Sequence, residues 1–260
     1  MAQATLKARL RSGQPAVGCW LNLYSTMAAE IISQAGYDCA MIDMEHGQGD
    51  TIDAIALMQA IQGRDCTPYA RVPSNDPVAI KRILDAGAQG VMVPAVNSAE
   101  EAAAAVAACR YPPEGIRGVA PVIVRAADYG ADWQSYTAAA NETILVICQI
   151  ESGAAVAAVE EIAAVEGVDL LFVGPFDLSA NLGFLGQPDH PEVRAEIARV
   201  EQAAKSAGKL LGAIPTPDRS LEALHQTGYD LILADADVAL LRDGARASAK
   251  RALAALGRDG

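Results

Sequence analysis

The chain has 260 residues, 52% of them apolar, and a formal net charge of −12. That is enough for one large α/β domain with a sizeable core. The negative balance, with no basic run, excludes the Lys/Arg patches that nucleic acid or an anionic membrane surface selects. No apolar run approaches the ~20 residues that span a bilayer. Five scattered cysteines without a CxxC spacing, Cys19, Cys39, Cys66, Cys109 and Cys148, read as reduced thiols of a cytoplasmic protein. The first dozen residues carry Lys7, Arg9 and Arg11 but no apolar stretch, so they read as a helix rather than a signal peptide.

Short apolar runs then alternate with longer, Ala-rich segments. The runs at 16–22, 38–44, 67–72, 90–94, 144–150, 169–174, 209–214 and 230–235 predict eight strands. Most are continuous in Val, Ile, Leu, Ala and Met rather than alternating, as parallel strands covered on both faces are. Helical spacing or propensity marks 27–34, 51–62, 76–85, 99–109, 154–165, 191–207, 220–226 and 238–256. Ser25 or Thr26, Asp50, Asn75, Ser98 and Asp218 stand as candidate caps, and glycines punctuate the ends. Eight βα units in a chain of this length predict a single-domain (β/α)₈ barrel over residues 1–260. An open doubly wound sheet is disfavoured, because no GxGxxG follows the first strand and no Walker-type loop occurs. The stretch 110–143, rich in Pro and Gly, is read as a loop bordering the site.

Barrel enzymes carry their chemistry at the C-terminal ends of strands. There the sequence offers Trp20 and Asn22, then Asp43, Glu45 and His46, then Arg71. Further on come Gln149 and Glu151, Gly174-Pro175-Phe176-Asp177, and Asp235 with Asp237. Carboxylates without thiolates or several histidines suit a hard divalent ion such as Mg²⁺ or Mn²⁺. An arginine fork can hold a carboxylate or a developing enolate oxygen. A histidine can exchange a proton near neutral pH. None of the five lysines, Lys7, Lys81, Lys205, Lys209 and Lys250, falls at a C-terminal strand end. A Schiff-base mechanism therefore lacks its amine, and a metal acting as Lewis acid is the expected activator.

These residues resemble the HpcH/HpaI family of class II aldolases, of the pyruvate/phosphoenolpyruvate barrel superfamily. The resemblance rests on Gly-Cys-Trp-Leu at 18–21, Asp-Met-Glu-His at 43–46 and Ala-Arg-Val-Pro at 70–73. It continues through Leu-Asp-Ala-Gly at 84–87, Val-Met-Val-Pro at 91–94, Tyr-Pro-Pro-Glu-Gly-Ile-Arg-Gly at 111–118, Gln-Ile-Glu at 149–151 and Gly-Pro-Phe-Asp-Leu-Ser at 174–179. It implies a metal-dependent aldolase joining pyruvate or hydroxypyruvate to an aldehyde, with Glu151 and Asp177 as ligands of Mg²⁺, Mn²⁺ or Co²⁺. By the same resemblance His46 is the acid/base, oriented by Asp43, and Arg71 steadies the enolate. Asp85 reaches a neighbouring subunit's histidine, and Gln149, Gly174, Pro175, Phe176 and Trp20 touch substrate. It further implies a homohexamer, a dimer of trimers, that exchanges the segment 238–256. Two other functions share the scaffold: lyases of citramalyl or malyl thioesters, which need a basic groove for coenzyme A, and a ketoacid-binding barrel without catalysis.

Overall fold

A computed structural model describes residues 5–258. Eight parallel strands close on themselves in sequence order: β1 (Ala16–Leu21), β2 (Cys39–Asp43), β3 (Thr67–Arg71), β4 (Gly90–Val93), β5 (Leu145–Ile150), β6 (Leu170–Val173), β7 (Leu210–Ala213) and β8 (Leu231–Ala236). Each of the eight predicted runs became a strand, and the predicted (β/α)₈ barrel is the observed fold.

Period-two alternation sorts each strand's side chains into two cores. Cys39, Met41, Tyr69, Met92, Leu145, Ile147, Leu170, Phe172, Leu231 and Leu233 pack together inside the barrel. Their alternates, among them Ala40, Ile42, Ala70, Val91, Val93, Cys148 and Leu171, pack outward against the helices. All five cysteines are free and buried. Burial pushes the thiols of Cys19, Cys66, Cys109 and Cys148 up to about 12, and that of Cys39 well above the ordinary thiol range.

The helices are α1 (Leu6–Arg11), α2 (Thr26–Gln34), α3 (Thr51–Ile61), α4 (Pro77–Ala86), α5 (Ala99–Cys109), α6 (Trp133–Thr143), α7 (Gly153–Ala157), α8 (Val159–Ala164), α9 (Pro175–Asn181), α10 (Pro191–Ser206), α11 (Leu221–Thr227) and α12 (Asp237–Ala255). Ser25, Asp50 and Ser98 cap α2, α3 and α5 as expected. Asp76 rather than Asn75 caps α4, and Ser220 rather than Asp218 caps α11. The predicted helix at 154–165 is broken at Ala158 into α7 and α8.

Helix α1 plugs the N-terminal end of the barrel. Leu6 and Leu10 join the inner core. Lys7, 4% exposed, pairs with Asp169 at 2.9 Å and donates to the carbonyl of Ile144 at 2.8 Å. Arg9 pairs with Asp38 and Arg11 with Asp169. Asp38, Ile144 and Asp169 all sit just before strands, so the closed end is opposite the one where the strands finish.

The segment 110–143 corrects an expectation. It does not border the mouth, and part of it is helical, as α6. It leaves the C-terminal end of α5 and feeds the start of β5, and an αβ connection must lie at the N-terminal face. There Arg125 donates to the carbonyl of Ala86 and to Gln62. Arg117, fully buried, is stacked 4.5 Å from the Tyr111 ring and pairs with Asp85 at 2.7 Å. No helix among the described residues is long and apolar enough to cross a membrane.

Candidate active site

The register of the barrel builds the mouth. Asp43, the last residue of β2, is the Cα partner of Arg71, the last residue of β3. Both follow inward-facing positions, Met41 and Tyr69, so both point into the barrel. Gln149 and Glu151 continue the inward set of Leu145 and Ile147, and Trp20 and Asn22 continue that of Gly18. Ile150 pairs with Val173, which places Glu151 beside Gly174.

Asp43, 1% exposed, is the hub. Arg71 grips it with both prongs, Nε to Oδ1 at 2.9 Å and Nη2 to Oδ2 at 2.7 Å. The Asn22 amide donates to Oδ2 at 2.7 Å, and the backbone N–H groups of Glu45 and His46 reach Oδ1 at 3.2 Å. Burial alone would raise this carboxyl, but the Arg71 hydrogen bonds and charge, with the two N–H groups, hold it below the usual carboxylate range. The Arg71 guanidinium lies over the Trp20 ring, 4.4 Å from its centroid, a cation–π contact that backs it at the mouth. Its remaining prong, Nη1, stands 3.1 Å from Glu45 Oε2, too poorly aligned for a hydrogen bond.

Here the structure corrects a second expectation. Asp43 does not orient the His46 ring; its oxygens are occupied by Arg71, Asn22 and backbone donors, and it holds His46 only through the main chain. The carboxylate nearest the ring is Glu45, at 4.0 Å from Nε2. The imidazole stands at the rim, its side chain 62% exposed. The turn that carries it wraps the Tyr24 ring. A Cβ on Gly47 or Gly49 would lie 2.4 or 2.1 Å from that ring, so only glycine fits at either position. The Tyr24 hydroxyl donates to the Asp43 carbonyl at 2.9 Å.

Across the mouth, Glu151 is 9% exposed. Its Oε1 accepts the Ala95 N–H at 2.7 Å, and its Oε2 accepts the Gln149 side-chain amide. Ala95 adopts a φ of +51°, unusual for alanine, and this turns its N–H onto the carboxylate. Gln149 Oε1 is buried without a hydrogen-bond partner among the described residues. Asp177 sits in the first turn of α9, exposed at the lip, with Phe176, 45% exposed, beside it. Glu45, Glu151 and Asp177 line one cavity, whose other walls include Asn97, Ser152 and Asn181. Burial raises the Glu151 carboxyl despite the Ala95 hydrogen bond, and the negative charges of Asp177 and Glu45 raise it further. Glu45 is raised as well, by burial first. No group of three His, Cys, Asp or Glu among the described residues is arranged to hold a metal.

These shifts fix a sign. Ionising a carboxyl whose folded pKa is raised costs folding free energy, so its contribution is fully present below the unfolded pKa and is lost as pH rises through the folded one. Asp43 works the other way, losing its contribution only as pH falls through its depressed value. Ion-free protein should therefore gain thermal stability as pH is lowered from 7 toward 5, and Glu151→Gln should flatten that dependence. Melting curves across this range check it; a steady loss of stability on acidification to pH 5 contradicts it.

Sequence reasoning placed Asp43, Glu45, His46, Arg71, Trp20, Gln149, Glu151, Gly174 and Asp177 at this mouth. Asp85 is not among them: it ends α4 at the N-terminal face, bound to Arg117. Tyr24, Ala95 and Asn97 went unnoticed; for Ala95 in particular, composition and spacing carry no sign of its backbone conformation.

A closed parallel barrel whose open end gathers several carboxylates, one stacked arginine and one histidine belongs to the barrel enzymes. Within that class, the pattern of the HpcH/HpaI aldolase/citrate lyase family matches residues 16–244, and the chain belongs to this family. A hydroxypyruvate/pyruvate aldolase of Chromohalobacter salexigens is 41% identical over 239 residues, covering 92% of this chain and 94% of that one. A pyruvate aldolase of Rhizobium etli is 43% identical over 246 residues, covering 94% and 96%. Among solved structures, an HpcH/HpaI aldolase/citrate lyase family protein from Burkholderia cenocepacia J2315 is similar at a TM-score of 0.91 and 42% identity, covering 95% of this chain and 98% of that one.

Proposed function

We propose that the protein is a divalent-metal-dependent aldolase of the cytoplasm, joining the enolate of pyruvate or hydroxypyruvate to an aldehyde and catalysing the reverse cleavage. The observation that carries this reading is Arg71, Glu45, Glu151 and Asp177 gathered at one mouth with His46 on its rim. The names of the relatives from Chromohalobacter and Rhizobium support the choice of donor.

The residues fit a hard divalent ion such as Mg²⁺, Mn²⁺ or Co²⁺. Glu151 and Asp177 face one cavity together with Glu45, which gives that cavity a lining of carboxylate and amide oxygens suited to a hard cation. Two carboxylate ligands leave most of the coordination to water and substrate oxygens, the usual habit of Mg²⁺. When bound, such an ion acts as a Lewis acid on the keto group.

The chain's own groups account for the rest. Ala95 and Gln149 fix the two oxygens of Glu151. Arg71, clamped by Asp43 and backed by Trp20, meets the negative charge that develops on the ketoacid oxygen when C3 loses its proton. His46 takes that proton, with Glu45 the carboxylate beside its ring. The C3 electron pair then forms the bond to the aldehyde carbon, and the aldehyde oxygen becomes a hydroxyl by taking a proton from His46. Gly174, Pro175 and Phe176 form the wall on the β6 side. A homohexameric assembly belongs to the same proposal. Asp85 lies on the far face of its own chain, so only another copy can bring it to His46.

The test is exchange of the pyruvate methyl protons in D₂O, followed by NMR. Chelator-treated protein should be inactive, and returning Mg²⁺ or Mn²⁺ should restore exchange without any aldehyde present. Absence of exchange with pyruvate and with hydroxypyruvate, at any of the three ions, rejects the reading.

A further inference from the structure

Asp237 opens α12 and is 4% exposed. It pairs with no cation among the described residues. Its carboxylate instead reaches across to the loop after β1, accepting the backbone N–H of Asn22 at 2.9 Å and of Leu23 at 3.2 Å, besides its own neighbour Val238 at 2.7 Å. That loop is in need of support: Tyr24, next in line, holds a φ of +51°, a conformation a tyrosine seldom adopts unless its surroundings impose it.

The residue so anchored is the one that completes the Asp43 hub. The Asn22 amide and Arg71 Nη2 both donate to Asp43 Oδ2, each at 2.7 Å. One continuous set of hydrogen bonds therefore runs from the start of α12 through Asn22 and Asp43 to the guanidinium. We propose that Asp237 is a positioning residue of the active site, holding Asn22 so that Asp43 presents Arg71 at the orientation the ketoacid needs. An acid that merely favours the positive start of a helix would add a little stability and leave the mouth untouched. Besides Val238 of its own helix, this one binds two N–H groups of the loop that follows the strand carrying Trp20. The proposal rests on the aldolase reading for its catalytic readout and on geometry alone for its spectroscopic one.

Asp237→Ala, Asn22→Ala and the double variant test it. Each single change should lower the maximal rate of pyruvate deuterium exchange about tenfold or more, as small displacements of a positioned group do, with the pyruvate KM within about threefold of the original on the same reasoning. The double variant should be no slower than the worse single one, because both interrupt the same path. If Asp237→Ala does not fold, Asp237→Asn, which keeps one acceptor oxygen, carries the test with a smaller loss. A second readout needs no ion and no turnover. Trp20 and Trp133 are the chain's two tryptophans, so in a Trp133→Phe background the emission reports the ring beneath Arg71 and should shift in each variant. Folded variants with unchanged exchange and unchanged emission overturn the proposal, as do losses that multiply in the double variant. Failure of the unaltered protein to exchange brings down the aldolase reading, and the emission shifts alone then decide whether Asp237 positions Arg71. Normal exchange in both the unaltered protein and the variants, with emission unchanged, removes the positioning role alone.

Discussion

Arg71→Ala is expected to lower pyruvate deuterium exchange and aldol turnover by about 10²–10³-fold, the usual consequence of losing one preorganised donor to a developing oxyanion. The loss would not stop at chemistry. Among the described residues Arg71 is the sole cation paired with Asp43, which is 1% exposed and stays ionised through that pairing. Removing one partner of a buried ion pair leaves the other uncompensated, at a cost of about 3–5 kcal/mol. The variant should therefore melt earlier as well as react more slowly. Arg71→Lys separates the two effects. It keeps the charge, and so most of the stability, but cannot grip both oxygens of Asp43 while lying flat on Trp20. Exchange rate and melting temperature, measured on all three proteins, give the answer. Turnover near that of the unaltered enzyme in a folded Arg71→Ala protein rejects the assigned role.

The second large effect is expected at a residue with no functional group. Gly174 has an ordinary φ of −96°, so its backbone would accept any side chain. Space would not. A Cβ there would stand 2.7 Å from Glu151 Oε2, 2.9 Å from Glu151 Cβ and 3.0 Å from Gln149 Nε2. Gly174→Ala must push Glu151 away from the position that Gln149 and Ala95 give it. Disturbing the groups that orient a ligand typically weakens metal binding by about 10–100-fold. Calorimetric titration with Mn²⁺ should show a loss of that order while the far-ultraviolet circular dichroism is preserved. Unchanged Mn²⁺ affinity would mean that Glu151 is not held against Gly174 as described, or does not serve the ion.

Much of this architecture was legible before any coordinate. Parallel strands buried on both faces write themselves as unbroken apolar runs, and most of the eight did so, β3 with its Thr67-Pro68 start being an exception. The residues at or just past the end of each run were then candidates for one mouth, which recovered Asp43, Arg71, Glu151 and Asp177. What escaped detection depends on partners distant in sequence. Asp43 and His46 lie three residues apart and invite pairing, yet Arg71, 28 residues on, takes the carboxylate first because register sets the two strand ends side by side. The stretch 110–143 looked like a loop bordering the site because it is long and rich in Pro and Gly. Its place in the α-to-β half of a repeat assigns it to the closed end, a topological fact that composition does not encode. Helix α9 was hidden because a seven-residue helix opening on Pro175 reads as a turn.

The five buried thiols carry a further consequence. With four of them raised to about 12, roughly one molecule in 10⁵ presents a thiolate at any of these sites near pH 7, and no reagent reaches the sulfur while the strands are paired. Alkylation of the native protein would thus measure how often the barrel comes apart rather than how reactive its sulfurs are. The cysteines are distributed over three strands and two outer segments, Cys19, Cys39 and Cys148 in β1, β2 and β5, Cys66 just before β3, and Cys109 at the end of α5. The molecule therefore has a set of built-in timers for local opening, all of them in the part of its wall from β1 to β5.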